Sequence, residues 1–228
     1  MTKEVFFLRF LWGPRPESLK RCAGRLDAFL SELRSIDNAF AAWRRDNTTA
    51  FQVPLGVKRL EGWLAEGVNR NDVGKEVIAE LGFALSLTSS EESTLTLRVN
   101  CGVYSSWTNN CCSIEFPSTG KVADRILRAD ILTRVAKATV LAWQPDHGVI
   151  TSHQCSARSQ PPSFLSEAGW ITYLSEKYNH LSQLPSQLTT ENIVGGRLVV
   201  ATSDRFDSTN AQHMKPIMVL TAKLSGER

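Results

Sequence analysis

The sequence predicts an α+β fold in a single domain spanning residues 1–228, a largely antiparallel (mixed) sheet with two long helices packed on it. Three observations carry that reading. Residues 83–99 alternate apolar and polar with period two, the mark of a sheet buried on one face. Two segments, Leu19–Leu33 and Val122–Trp143, instead repeat their apolar residues at helical spacing. Strands and helices mix along the chain without the strict alternation a parallel sheet requires, and neither an internal repeat nor a linker divides it.

Val5–Phe10 reads as the first strand. Arg15-Pro16-Glu17-Ser18 then opens a helix, with Pro16 suited to its first turn and Glu17 to the positive end of its dipole. Leu19, Cys22, Leu26, Phe29, Leu30 and Leu33 form its apolar stripe, which leaves Lys20, Arg21 and Arg25 mostly on water. Phe40–Arg45 and Phe51–Leu55 suit short strands. Val57, Leu60, Trp63 and Leu64 fit a two-turn helix ended by Gly67, with turn chemistry at Asn69–Asp72. Phe83–Thr88 and Leu95–Val99 make a hairpin closed by Cys101-Gly102, and Cys111–Phe116 a further strand stopped by Pro117. Val122–Trp143 is apolar around most of its circumference, so it is expected as one central helix ended by Pro145. Val149–Ser152, Gly169–Leu174 and Leu198–Thr202 read as strands, with a loop at Gln160-Pro161-Pro162. In Asn210–Leu224, Pro216 would cost roughly 3 kcal/mol inside a helix, so a turn is expected before it and a helix from near it.

Composition excludes several classes. The 228 residues are 42% hydrophobic and 21% charged, ordinary for a globular protein. Val5–Trp12 is short, interrupted by Arg9 and followed by Pro14 and Pro16, so it reads as a strand and not a leader. No apolar run is long enough to span a membrane, and the cytoplasm is the expected compartment. Five cysteines are too few, and odd in number, for a disulfide framework. The net charge of +3 is unevenly spread: residues 1–60 carry +5, and residues 61–92 carry −5 through Glu61, Glu66, Asp72, Glu76, Glu80, Glu91 and Glu92. That acidic tract is either a solvated face or a patch that meets a basic partner. The basic residues elsewhere are interspersed with acids, so direct nucleic-acid binding is not expected.

The stretch AWQPDHG (142–148) has the look of an active-site edge, yet no catalytic template is completed around it. Gly195-Gly196 precedes a strand and lacks a phosphate-loop ending. Cys111 and Cys112 are adjacent, so on a strand they face opposite sides and cannot close on one zinc ion. No cofactor or metal is therefore expected. The enzyme alternative is a cysteine-dependent hydrolase, with Cys101, Cys112 or Cys155 as thiolate, His147 or His153 as base and Asp146 or an Asn as orienter. No helix N-terminus or local cation in the sequence clearly activates any of these thiols. The simpler reading makes Pro145-Asp146-His147-Gly148 a turn, with Asp146 accepting from backbone amides two residues on.

Several fragments, in order, carry a resemblance: Gly-Pro-Arg-Pro-Glu-Ser before the first helix; Glu80-Leu81-Gly82-Phe83; Val99-Asn100-Cys101-Gly102-Val103-Tyr104-Ser105; Asn109-Asn110; Ala142-Trp143-Gln144-Pro145-Asp146-His147-Gly148; Gly169-Trp170-Ile171-Thr172-Tyr173-Leu174; and Gly195-Gly196-Arg197-Leu198 with Phe206-Asp207, Asn210 and His213. Together they resemble the immunity protein 52 family of bacterial polymorphic toxin systems, over nearly the whole chain. Pro216 departs from the uninterrupted helix expected there. The resemblance implies a non-enzymatic inhibitor that binds a cognate toxin, similar to those paired with restriction-endonuclease-fold nucleases, some delivered by type VI secretion. It transfers no catalytic or toxin-contacting residue. On charge and exposure, the expected toxin contacts are Glu61, Glu66, Asp72, Glu76, Glu91 and Glu92, with Trp107 in the polar loop Tyr104–Thr108 as aromatic anchor. Trp63 is expected to be core, and a homo-oligomer is compatible with the sequence.

Overall fold

The computed structural model describes residues 3–45, 55–89, 95–181 and 184–226. Alternation in the sequence becomes one nine-stranded sheet. The strands are β1 (Phe6–Trp12), β2 (Trp43–Arg45), β3 (Phe83–Ser89), β4 (Thr96–Cys101), β5 (Asn110–Glu115), β6 (His147–Ser152), β7 (Ile171–Ser175), β8 (Thr189–Ile193) and β9 (Gly196–Val200). Their order is β2-β3-β4-β5-β1-β6-β7-β9-β8, and every pairing is antiparallel. β1 is thus the central strand, between β5 and β6, and buries both faces.

The helices are α1 (Leu19–Ile36), α2 (Val57–Glu66), α3 (Gly120–Ile126), α4 (Ala129–Trp143), α5 (His153–Ser159) and α6 (Ala211–Gly226). α1 packs between α2 and α4. Its stripe of Cys22, Leu26, Phe29, Leu30 and Leu33 is buried as the spacing predicts. Trp12 of β1 meets this layer: it stacks on Trp143 of α4 with ring centroids 5.4 Å apart, and Phe29 meets the same indole edge-on at 6.4 Å. Trp63 of α2 is half-buried against the core.

Four local expectations are corrected. α1 begins at Leu19, where Ser18 Oγ accepts from the Arg21 amide; Pro16 and Glu17 therefore precede the helix, and Glu17 sits among arginines instead of at a dipole. The second long helix is two, because Arg128 is extended (φ −131°, ψ 143°) and divides α3 from α4. Asp146 does not close a local Asx turn. Its Oδ2 accepts from the Gly13 amide at 3.0 Å and its Oδ1 pairs with Lys177 at 2.7 Å, while His147 and Gly148 already belong to β6. Finally, α6 starts at Ala211, capped by Asn210 Oδ1 on the Gln212 amide, and runs through a buried Pro216. The Phe51–Leu55 strand lies outside the described residues except for Leu55. β8 carries no strand signal in the sequence, because its residues are nearly all exposed and show no alternation.

Asp37 joins α1 to α3. Its carboxylate takes both Arg125 Nε and Nη2 at 2.8 Å and caps the following turn through the Ala39 amide. Burial pushes its pKa up, but these hydrogen bonds outweigh that and hold it below the ordinary value. A folded pKa below the unfolded one gives stability that is present above about pH 4 and is lost as pH falls through the folded value. Asp37→Ala should cost about 1 kcal/mol at pH 7, the usual loss of such a cap. The gap from the unmutated chain should close as pH falls through the folded pKa of Asp37, in acid unfolding followed by circular dichroism.

Candidate functional site

Residues 67–82 and 102–109 meet at one end of the sheet and form an exposed corner. α2 stops at Gly67, whose Cα lies so close to Ala84 that a Cβ would fall 1.8 Å from the Ala84 carbonyl oxygen. The chain then makes a small ladder: Ile78 N donates to Asn69 O at 2.9 Å, and Asn71 N to Glu76 O at 3.0 Å. The Glu80 carbonyl accepts from both Tyr104 N (2.9 Å) and Ser105 N (3.1 Å), which fastens the second loop to the first. Asn110 fixes that loop's stem. Buried, it accepts from Val103 N and donates to Val103 O and Gly13 O at 2.8–2.9 Å. Asn110 thus uses its side chain to hold this loop.

Of the expected toxin contacts, Trp107 is 91% exposed, with its backbone amide on Ser105 Oγ. Asp72 and Glu76 are exposed on the ladder, beside Glu80. Glu61 is half-buried on α2, and Glu66 is exposed but pairs with Arg45 at the β2 edge. The acidic tract is therefore split: α2 flanks the sheet's outer strands, and the ladder joins Trp107. Glu91 and Glu92 lie outside the described residues. Val73 and Val77 are exposed on the same ladder at 85% and 49%, a placement that no signal in the sequence marks.

The sheet face opposite α1 carries a second feature. Register places Phe7, Arg9 and Leu11 beside Glu115, Ser113 and Cys111, and these beside Thr96, Arg98 and Asn100. The β4 and β5 residues of this half are half-buried or exposed, and α5 with residues 161–167 walls one side to leave a groove of about 670 Å³. Arg9 forms its edge, with its guanidinium 3.9 Å from the Phe164 ring centroid and paired to the buried Glu167, which also accepts from Ser156.

The cysteine alternative fares poorly in geometry. Hydrogen bonding to Cys22 and burial both raise the Cys101 thiol pKa, and burial raises that of Cys112. Burial likewise lifts Cys111 to about 11 and Cys155 to about 12. None of these four is thereby a thiolate at neutral pH. The Cys22 pKa is instead lowered, chiefly by its hydrogen bond with Cys101, but this thiol is fully buried and out of reach of a reagent. Asp146 holds Gly13 and Lys177, the buried His147 ring sits 5.8 Å from Tyr178, and His153 lies on Phe7 at 4.8 Å. Cys111 stands across from Leu11, four residues along β1 from Phe7, about 13 Å of strand at ~3.3 Å per residue. Thiol titration should accordingly find sluggish cysteines at pH 7, with Cys111 reacting fastest and its rate climbing roughly tenfold per pH unit towards 11. One fast-reacting cysteine at pH 7 would contradict this.

Among the described residues no helix is long and apolar enough to cross a membrane. No curated protein matches the chain. Among solved structures it is similar to "Pseudomonas aeruginosa T6SS protein PA0821", with a TM-score of 0.58 at 12% identity, over 98% of this chain and 72% of that one. At that identity the likeness concerns the fold. The family model described as "Immunity protein 52" matches residues 4–225, nearly the full length that the sheet and its helices occupy, and the chain belongs to that family.

Proposed function

We propose that this chain binds and neutralises a cognate bacterial toxin, a restriction-endonuclease-fold nuclease delivered by type VI secretion, and that it does so in the cytoplasm without catalysing a reaction. The family match over residues 4–225 is the observation that carries the reading. The raised thiols and scattered histidines leave the hydrolase alternative without a favouring observation. A nuclease grips a polyanion, so its cleft is basic around acidic metal ligands. Carboxylates between Glu61 and Glu92 then steer the two proteins together.

The test is genetic and direct. Expression of the toxin domain encoded beside this chain should kill cells only when this chain is absent, and the two should co-purify. Killing that persists with this chain present would overturn the proposal. A kinetic corollary concerns steering. Reversing Glu91 and Glu92 to Lys should slow association about tenfold at low salt and flatten its salt dependence. Unchanged association rates would remove these two residues from the encounter surface.

A further inference from the structure

The geometry points to the corner built from residues 70–80 and 102–109 as the surface that anchors the toxin, with Trp107 and Tyr104 entering an apolar pocket rimmed by basic residues on the partner. This rests on the immunity reading and specifies where binding energy concentrates. Among the described residues, ten large hydrophobic side chains are exposed. Four of them (Val73, Val77, Tyr104 and Trp107) fall within these two short segments, while the other six are spread over five separate places. The shared Glu80 carbonyl holds the segments together. Val77 is three residues from Glu80, and Trp107 two from Ser105. At no more than about 3.6 Å per residue both lie within roughly 11 Å of that junction, well inside one interface footprint.

The corner is also pre-organised. Its stem is fixed by Asn110, its ladder by backbone pairs, and Ser105, the base of the Trp107 turn, is buried. A rigid loop that presents an almost fully exposed indole loses little conformational freedom on docking. Three exposed carboxylates, Asp72, Glu76 and Glu80, surround the apolar residues. Arg70 and Lys75 leave these segments with a net charge of −1, and Arg70 directs its guanidinium to the Lys75 carbonyl. An aromatic centre with an acidic rim is complementary to an apolar pocket among lysines and arginines. Glu61 and Glu66, on α2, contribute long-range steering only.

The experiment measures binding of the full chain to the catalytically inactivated toxin domain encoded beside it, with thermal unfolding of each variant. Trp107→Ala should weaken binding about 30-fold or more, mainly through faster dissociation, at unchanged unfolding temperature. Trp107→Phe should recover part of the loss, and Met218→Ala with Val219→Ala on α6 should bind as the unmutated chain does. If the unmutated chain binds and Trp107→Ala stays within threefold of it, this surface is wrong while the immunity reading stands. If the unmutated chain neither binds nor protects, the immunity reading itself fails. Retention on single-stranded DNA that depends on Trp107, with toxin binding intact, would assign the corner to nucleic acid and overturn the proposal.

Discussion

Glu17→Ala should lower the thermal unfolding midpoint by roughly 6–12 °C, an effect of about 3 kcal/mol in a chain of this size. The Glu17 side chain is only 2% exposed; it accepts a hydrogen bond from Arg25 Nε at 2.9 Å and forms ion pairs with Arg21 Nε at 3.0 Å and Arg15 Nε at 3.2 Å. Two of these arginines reach past it to the end of α4. Arg15 Nη2 donates to Trp143 O at 2.7 Å, and Arg25 Nη1 to Ala142 O at 2.6 Å. They satisfy carbonyls that a helix C-terminus leaves open and place cations at the negative end of its dipole. Burial already lowers the Arg15 pKa, and Glu17 is the chief charge opposing that. Without the carboxylate, two half-buried guanidiniums are left facing each other, and the join between β1, α1 and α4 weakens. Arg21→Ala should be nearly silent, since that side chain is 66% exposed and its pair is surface-like. Arg25→Ala should cost more than Arg21→Ala. A Glu17→Ala chain that melts within 2 °C of the unmutated one would show that the cluster does not hold this junction.

What was legible from residues alone depended on how local its cause was. The β3–β4 hairpin was readable because alternation is decided strand by strand, and the α1 stripe because its spacing repeats within one helix. The division of α3 from α4 was not, since neither glycine nor proline marks residues 127–128 and apolar residues continue across them. At Pro216 the propensity rule was locally sound, yet a buried position and the Asn210 cap carry α6 through it. Asp146 illustrates the same limit. Its partner Gly13 is 133 positions away, so the nearer Asx turn was the only bond the sequence displayed. At the candidate site, Trp107 and the acids were visible as residue types. Their junction was not, because it runs through the Glu80 carbonyl, and backbone acceptors leave no signature in side-chain chemistry. The exposed valines escaped notice for a related reason: valine ordinarily signals core, and only the fold shows Val73 on the outside.

The same junction sets the second large expectation. Gly82→Ala should destabilise the chain by more than about 3 kcal/mol and release the corner. Gly82 adopts φ 58° and ψ −138°, a conformation open essentially to glycine. Its missing Cβ would sit 2.3 Å from the Cys101 carbonyl oxygen and 2.7 Å from both Gly102 C and Val103 N. All three are backbone atoms, so no side chain can swing away to make room. Relief therefore requires the 78–82 turn and the 101–105 segment to part, and the two bonds to the Glu80 carbonyl lie directly in that path. Hydrogen exchange reads this residue by residue: the Tyr104 and Ser105 amides should lose protection in Gly82→Ala, while amides of β1 and β6 exchange only as global stability dictates. Toxin affinity should fall along with that protection, because the anchor loop loses the support that keeps its indole poised. If both amides stay protected and the unfolding midpoint is unmoved, the two loops are not fastened at Glu80, and the corner is not one surface.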